Sequence, residues 1–243
     1  MSKIEWTERT WNPTTGCDKV SPGCDNCYAE RESIRLRGMG LAKYQRGFEV
    51  ALHPYTLAQP AKWKKTGEIV FVNSMSDLHH PEIPQQYVVD IYNKMEEYPV
   101  HTFQVLTKRP KSALFFYQHH WRREIPPNVW IGVSVENRLE RRRINVLREI
   151  PAAIRFLSCE PLLEDLGELN LEGIHWVIVG GESGPRARPM KVEWVRNIRD
   201  QCVGKGVKFH FKQWGGVNKN ATGRTIDGAE WDERPDRHER RLM

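Results

Sequence analysis

Cys17, Cys24 and Cys27 place three of the chain's five cysteines within eleven residues, in a loop rich in Gly, Pro and Asp that runs from Thr15 into a helix-like segment at Tyr28-Ala29-Glu30. Ionised sulfur is a soft, strong metal ligand, and a loop lets several thiolates face one side. Three readings fit this arrangement. An iron–sulfur cluster would take the three thiolates and leave one iron open to a small chelating molecule. A structural zinc ion would need a fourth ligand, for which Cys159, His53, His79 and His80 are candidates. Ordinary buried or loop thiols are the third reading. Zinc ribbons usually pair two knuckles of short spacing, whereas here Cys24 and Cys27 form one pair and Cys17 lies outside it, which favours the open cluster.

A metal loop needs a frame, and the rest of the chain supplies the pattern of one. Ile4-Glu5-Trp6-Thr7 alternates apolar and polar residues and reads as a first strand, with the cysteine loop following it. Tyr28 to Leu36 reads as a helix, and residues 41–67 as a basic, irregular insertion. From Glu68 onward, short β-branched runs alternate with amphipathic segments. The runs are 69–72, 102–106, 129–133, 154–157, 176–179 and 207–211, and the helices fall near 84–97, 111–120, 138–149 and 191–204. Strands alternating with helices specify a parallel sheet with right-handed crossovers, so the fold class is α/β, a partial or complete barrel of about six to seven parallel strands. Residues 1–216 are expected to form this single barrel domain, and 217–243 a polar C-terminal tail with Trp231 as its anchor.

Each run closes in polar residues: Asn73-Ser74-Met75-Ser76-Asp77, Thr107-Lys108-Arg109, Ser134-Val135-Glu136-Asn137, Ser158-Cys159-Glu160, Gly180-Gly181-Glu182-Ser183-Gly184 and Lys212-Gln213-Trp214. In a parallel barrel the C-terminal strand ends converge on one mouth, where distant parts of the sequence meet around a ligand. The competing reading of such residues is plain loop, and of Gly180-Gly181 a tight turn.

Composition sets the setting for this chemistry. A charged fraction of 28% and a hydrophobic fraction of 39% describe a globular chain. No apolar run reaches a membrane span of about 18 residues, and Met1-Ser2-Lys3-Ile4-Glu5-Trp6 has no signal-peptide character, so a cytoplasmic protein with no membrane association is expected. In a reducing cytosol a tight cysteine cluster favours metal or chemistry over disulfides. The formal charge of +6 makes DNA or RNA a candidate partner. Lys62-Trp63-Lys64-Lys65, Trp121-Arg122-Arg123 and Arg138 to Arg143 combine bases with aromatics or run as basic strips, readable either as nucleic-acid contacts or as solvated surface.

Taken together, Cys17-x6-Cys24-x2-Cys27-Tyr28-Ala29-Glu30, Asn73 to Asp77, Thr107-Lys108-Arg109-Pro110, Gly132 to Asn137, Ser158-Cys159-Glu160-Pro161 and Gly180 to Gly184 resemble the phage-associated three-cysteine-motif family, radical-SAM-like proteins of phages and bacteria. The resemblance runs from Trp6 to Trp214. More widely the chain is similar to radical S-adenosylmethionine enzymes, whose partial barrel carries a [4Fe–4S] cluster on three cysteines after the first strand. The resemblance implies Cys17, Cys24 and Cys27 as cluster ligands, S-adenosylmethionine as cofactor, and a flavodoxin- or ferredoxin-like electron donor as partner. This chain departs from the wider pattern in its six-then-two spacing, in Asn26 before the third cysteine, and in Asn73 to Asp77 where a Gly-Gly-Glu-like segment is usual.

The implied reaction is release of a 5'-deoxyadenosyl radical that abstracts hydrogen from substrate, a nucleic-acid base being the first candidate for modification or repair. Ser74, Ser76 and Asp77 are then candidates for the cofactor's amino group, Ser134, Glu136 and Glu160 for its ribose or methionine part, Lys108 and Arg109 for a carboxylate or phosphate, and Gly180, Gly181 and Glu182 for a binding loop. Cys159 is the candidate catalytic hydrogen donor, read otherwise as a small buried residue, and Cys202 is expected in the core. The alternative function is a zinc-stabilised or metal-free nucleic-acid-binding barrel without radical chemistry.

Overall fold

The protein, a computed structural model, is described for residues 4–236. Seven strands form one parallel sheet in the order of the sequence: β1 (Arg9–Trp11), β2 (Ile69–Val72), β3 (Thr102–Thr107), β4 (Val129–Ser134), β5 (Arg155–Cys159), β6 (Trp176–Gly180) and β7 (Lys208–Gln213). Every neighbouring pair is parallel, so all C-terminal ends point the same way. Helices α1 (Tyr28–Gly38), α2 (Gln85–Glu97), α3 (Pro110–His119), α4 (Arg142–Glu149) and α5 (Val192–Gly204) lie in the connections. The architecture is the expected α/β partial barrel.

Strand alternation builds two cores. Val70, Val72, Val105, Ile131, Leu157 and Val179 face the helices and pack with Ile91, Met95, Phe116, Ile144 and Ile198. The opposite faces of the same strands carry Phe71, Trp130, Phe156, Trp176 and Ile178, which close the inside of the curled sheet. Further along each strand, toward its C-terminal end, this inner face turns polar.

The first strand lies later than expected. Trp6, expected in a strand, instead packs into the inner aromatic core, 4.6 Å from the Phe71 ring. Thr7 Oγ1 and the Glu8 amide both bond the Ile69 carbonyl, which starts the parallel register one residue later at Arg9 opposite Val70. Burying an indole outweighs the weak alternation of a four-residue run. The segment 41–67 is also ordered, through short helical turns at Ala42–Tyr44, Pro54–Ala58 and Pro60–Lys62 and a two-residue strand, Ala51–Leu52, paired antiparallel with Thr14–Thr15. Trp11 Nε1 donates to the Thr56 carbonyl at 3.0 Å and the His53 amide to Pro13 at 2.8 Å, so this insertion braces the exit of β1.

Residues 217–236 return along β7. The Phe211 amide bonds the Trp231 carbonyl, His210 bridges antiparallel to Asp232, and Trp231 packs 5.8 Å from Phe209, as an anchor should. This covers the sheet's last edge, which would otherwise offer unpaired backbone groups. Arg237 to Met243 lie outside the described residues. Among the described residues no helix is long and apolar enough to cross a membrane.

Three buried histidines tie stability to pH. Burial lowers His79 to about 3, burial with the nearby Lys43 lowers His53 to about 4, and burial with Arg224 and Lys212 lowers His210 to about 4, from an ordinary 6.5. Their contribution is complete above the unfolded value near 6.5 and is lost as pH falls through and below it, because the unfolded chain takes up the protons first. At pH 5 each should cost about 2 kcal/mol relative to pH 7.5. Urea unfolding at the two pH values measures this. His79→Phe, which suits a ring packed on Phe116 and Tyr117, should remove about a third of the pH dependence, and an unaltered slope would refute the assignment.

Candidate metal centre and cofactor site

The cysteine loop is held from its first residue. The Gly16 amide donates to the Met75 carbonyl at 3.0 Å and the Cys17 amide to Phe48 at 3.1 Å, pinning Cys17 between the exit of β2 and the insertion. Gly16 has φ of +86°, and a Cβ there would stand 2.0 Å from the Glu49 carbonyl oxygen, so only glycine fits. Cys24 ends a helical turn, Pro22–Cys24, whose last amide returns to Ser21. Cys27 is the N-cap of α1. The thiols therefore come from a strand exit, a turn and a helix start, all at the C-terminal end of the sheet.

Burial pushes the Cys17 thiol up to about 11, with Asp77 adding and Arg109 opposing. Burial also raises Cys27, against the amides of Glu30 and Ala29 and the Lys108 ammonium. Both are protonated at neutral pH unless a metal competes for the sulfur. Among the described residues, the ligand atoms that gather within 4.8 Å of one another are those of Cys17, Asp18 and His80 rather than the three thiols.

Two carboxylates from strand exits hold this loop down. Glu136, fully buried beyond the end of β4, accepts from Ser21 Oγ at 2.8 Å, from Arg143 at 2.7 Å and from Lys108. Its carboxylate packs so closely on Gly23 that a Cβ there would meet Oε1 at 2.4 Å. Burial works to raise Glu136, but Lys108 and Arg143 outweigh it and hold the carboxyl below its ordinary range. Glu182, beyond β6, accepts from Asn26 at 2.9 Å and pairs with Arg188 at 2.6 Å, while Arg188 also donates to the Pro22 carbonyl at 2.8 Å. Ser21 and Arg188 are not among the residues the sequence marks, Asn26 is marked only as a departure before the third cysteine, and Arg143 only as part of the basic strip Arg138 to Arg143. Ser and Asn inside a cysteine loop carry no signal of which distant carboxylate they meet.

The other predicted residues divide between structure and site. Asp77 accepts from Thr107 Oγ1 at 2.7 Å, from the amides of Lys108 and His79 at 3.0 Å, and from Arg109 at 3.2 Å, so it fixes the turn after β3. Ser74 and Ser76 bond Asn12 and Thr14 in the β1 exit. Gly180 and Gly181 answer close approaches: a Cβ would meet Glu160 Oε1 at 2.5 Å in one case and the Trp214 carbonyl oxygen at 1.9 Å in the other. Ser134 is buried, and its carbonyl accepts from Arg143. Cys159 falls on the helix-facing side of β5, fully buried in that core, and is not brought to the three cysteines; Cys202 is buried there too.

Glu160 takes the inner face of β5, where it pairs with Lys212 of β7 at 2.9 Å and accepts from Ser158 at 3.2 Å. Lys212, expected at the polar exit after the last strand, lies within it: β7 runs on to Gln213, and the outward Phe209 and Phe211 turn Lys212 inward. The mouth thus carries two opposed charge pairs, Lys108 with Glu136 and Lys212 with Glu160, above the aromatic floor. The basic aromatic strips do not form a stacking platform. Trp63 packs edge-on to Trp11, the Trp121 ring is 2% exposed, and Arg143 is spent on Glu136 and Glu140.

Comparison with known proteins adds three findings. No curated protein matches the sequence. Solved structures with a similar trace include a spore photoproduct lyase double mutant with bound AdoMet and dinucleoside spore photoproduct, at 11% identity and TM-score 0.46 over 79% of this chain and 60% of that one. A second, a spore photoproduct lyase complexed with dinucleoside spore photoproduct, has 11% identity and TM-score 0.41 over 77% of this chain and 58% of that one. The chain therefore spans about three fifths of the length of these structures. The model of the family described as "Protein of unknown function (DUF5131)" matches residues 1–235, and the chain belongs to that family.

Proposed function

We propose that the protein is a radical S-adenosylmethionine enzyme whose [4Fe–4S] cluster is held by Cys17, Cys24 and Cys27. The observation that carries this reading is the placement of three thiols around the C-terminal mouth of a parallel partial barrel, too widely spread to close on one ion within 4.8 Å. A donor set of thiols alone suits iron and sulfide. Bound there, the reduced cluster would give one electron to S-adenosylmethionine, splitting its sulfonium C–S bond into methionine and a 5'-deoxyadenosyl radical.

The chain's own part is to hold, orient and exclude water. Glu136 and Glu182 fix the loop through Ser21, Asn26 and Arg188. Glu160 and Lys212 offer opposite charges on the inner wall for a zwitterionic cofactor, and Trp130, Phe156 and Trp176 seal the floor beneath. A single-ion site on Cys17, Asp18 and His80 is the competing reading. Arg109 lies on both Cys17 Sγ and the Asp18 carboxylate, which puts a fixed positive charge where that ion would sit.

The net charge of +6 favours a substrate borne on a polyanion, a nucleic-acid base. A binding titration at two salt concentrations checks it, and affinity for DNA and RNA that is absent or indifferent to salt would count against it.

The test of the main reading is anaerobic reconstitution with iron and sulfide, followed by dithionite and S-adenosylmethionine. Wild type should bind both elements and form 5'-deoxyadenosine, and replacement of any one of the three cysteines by Ala should abolish product. Product surviving in all three variants, or a colourless protein that carries only zinc, would refute it.

A further inference from the structure

We infer that Arg109 sets the reduction potential of the metal centre by hydrogen-bonding the Cys17 sulfur. The inference rests on the cluster assignment above. Arg109 Nη1 stands 3.3 Å from Cys17 Sγ, with the side chain 9% exposed. Its pose is imposed from every side. The Arg109 amide donates to Thr107 Oγ1 at 2.8 Å at the start of α3, Nη1 meets Asp77 at 3.2 Å, and Nη2 meets Asp18, whose carboxylate is also held by His80 Nε2 at 2.9 Å.

One electron from a flavodoxin- or ferredoxin-like donor makes the reduced centre more negative by one charge, with no bond formed or broken. A hydrogen bond and a buried positive charge at a ligand sulfur stabilise that state, so they raise the potential. Asp77 and Asp18 oppose this field, and Arg109 masks both. Its loss therefore removes the hydrogen bond and exposes two negative charges beside the same sulfur. Both terminal nitrogens of the guanidinium are taken by protein groups, which makes it a positioning and tuning residue rather than a contact for a cofactor carboxylate.

An EPR-monitored redox titration of the anaerobically reconstituted protein tests the assignment. At the wild-type midpoint, Arg109→Gln should show about a tenfold fall in the ratio of reduced to oxidised cluster, about 59 mV for one electron. Arg109→Lys, which keeps the charge without the planar fork, should fall between the two. Wild-type midpoints in both variants would overturn the inference while leaving the cluster reading intact. Failure of wild type itself to take up a cluster would overturn both. Should Arg109→Gln not assemble a cluster, the Arg109→Lys midpoint decides: lowered supports the inference, unchanged overturns it.

Discussion

Gly16→Ala should unseat the cysteine loop and cost about 2–5 kcal/mol of stability, the sum of left-handed strain and overpacking against backbone. Gly16 sits at φ of +86°, and its added methyl would lie 2.0 Å from the Glu49 carbonyl oxygen and 2.7 Å from that of Phe48. Neither atom is the end of a flexible side chain. Relief must come from moving the insertion or the loop, and the insertion is tied to β1 through Trp11 and His53. Cys17, the next residue, moves with it. Gly40→Ala is the control, with φ of +74° and nothing within 4 Å, so it carries only the strain of about 1–2 kcal/mol. Denaturant unfolding of both variants, with iron content after reconstitution, separates strain from clash. Equal stabilities and full iron loading in Gly16→Ala would show that the loop is not seated as described.

The frame was legible because period-two patterns in β-branched residues survive translation into a sheet with little ambiguity. Val129 to Val133 and Trp176 to Val179 have the length and β-branched content of buried strands, and their polar exits lie at one end once all strands run parallel. Trp6 misled because a short alternation is compatible with a strand while the benefit of burying an indole acts through tertiary contact, which no local pattern reports. The insertion at 41–67 hid its order for a similar reason. Its hydrogen bonds go to Trp11, Pro13 and Cys17, far away in sequence. At the site, charge at a strand exit marked the right residues but not their duties. Asp77, Glu136 and Glu182 read as ligand-facing carboxylates, yet each is largely occupied by arginines, backbone amides or the cysteine loop. A carboxylate's type states what it can bind; only the fold states what already binds it.

Glu136→Ala should be among the most damaging substitutions in the chain, at about 3–5 kcal/mol, because it strips a partner from two cations in or near the core. Arg143 is 5% exposed and would keep Glu140 at 3.0 Å, but Lys108 would lose its carboxylate and Ser21 its acceptor. Glu136→Gln keeps the shape and can still accept from Ser21 and Arg143, so it should lose less and isolate the charge. The pH dependence has a definite sign. Glu136 is held below its ordinary 4.5, so its stabilisation is complete above about 4.5 and lost as pH falls through the folded value. Asp77 runs the other way, since burial raises it, and it contributes most when protonated. Comparing wild type with Glu136→Gln by urea unfolding at neutral and at acid pH cancels Asp77 and the histidines, which both proteins share. The gap should narrow toward zero in acid. A gap independent of pH would mean that shape and packing, rather than the buried charge, hold the loop above β4.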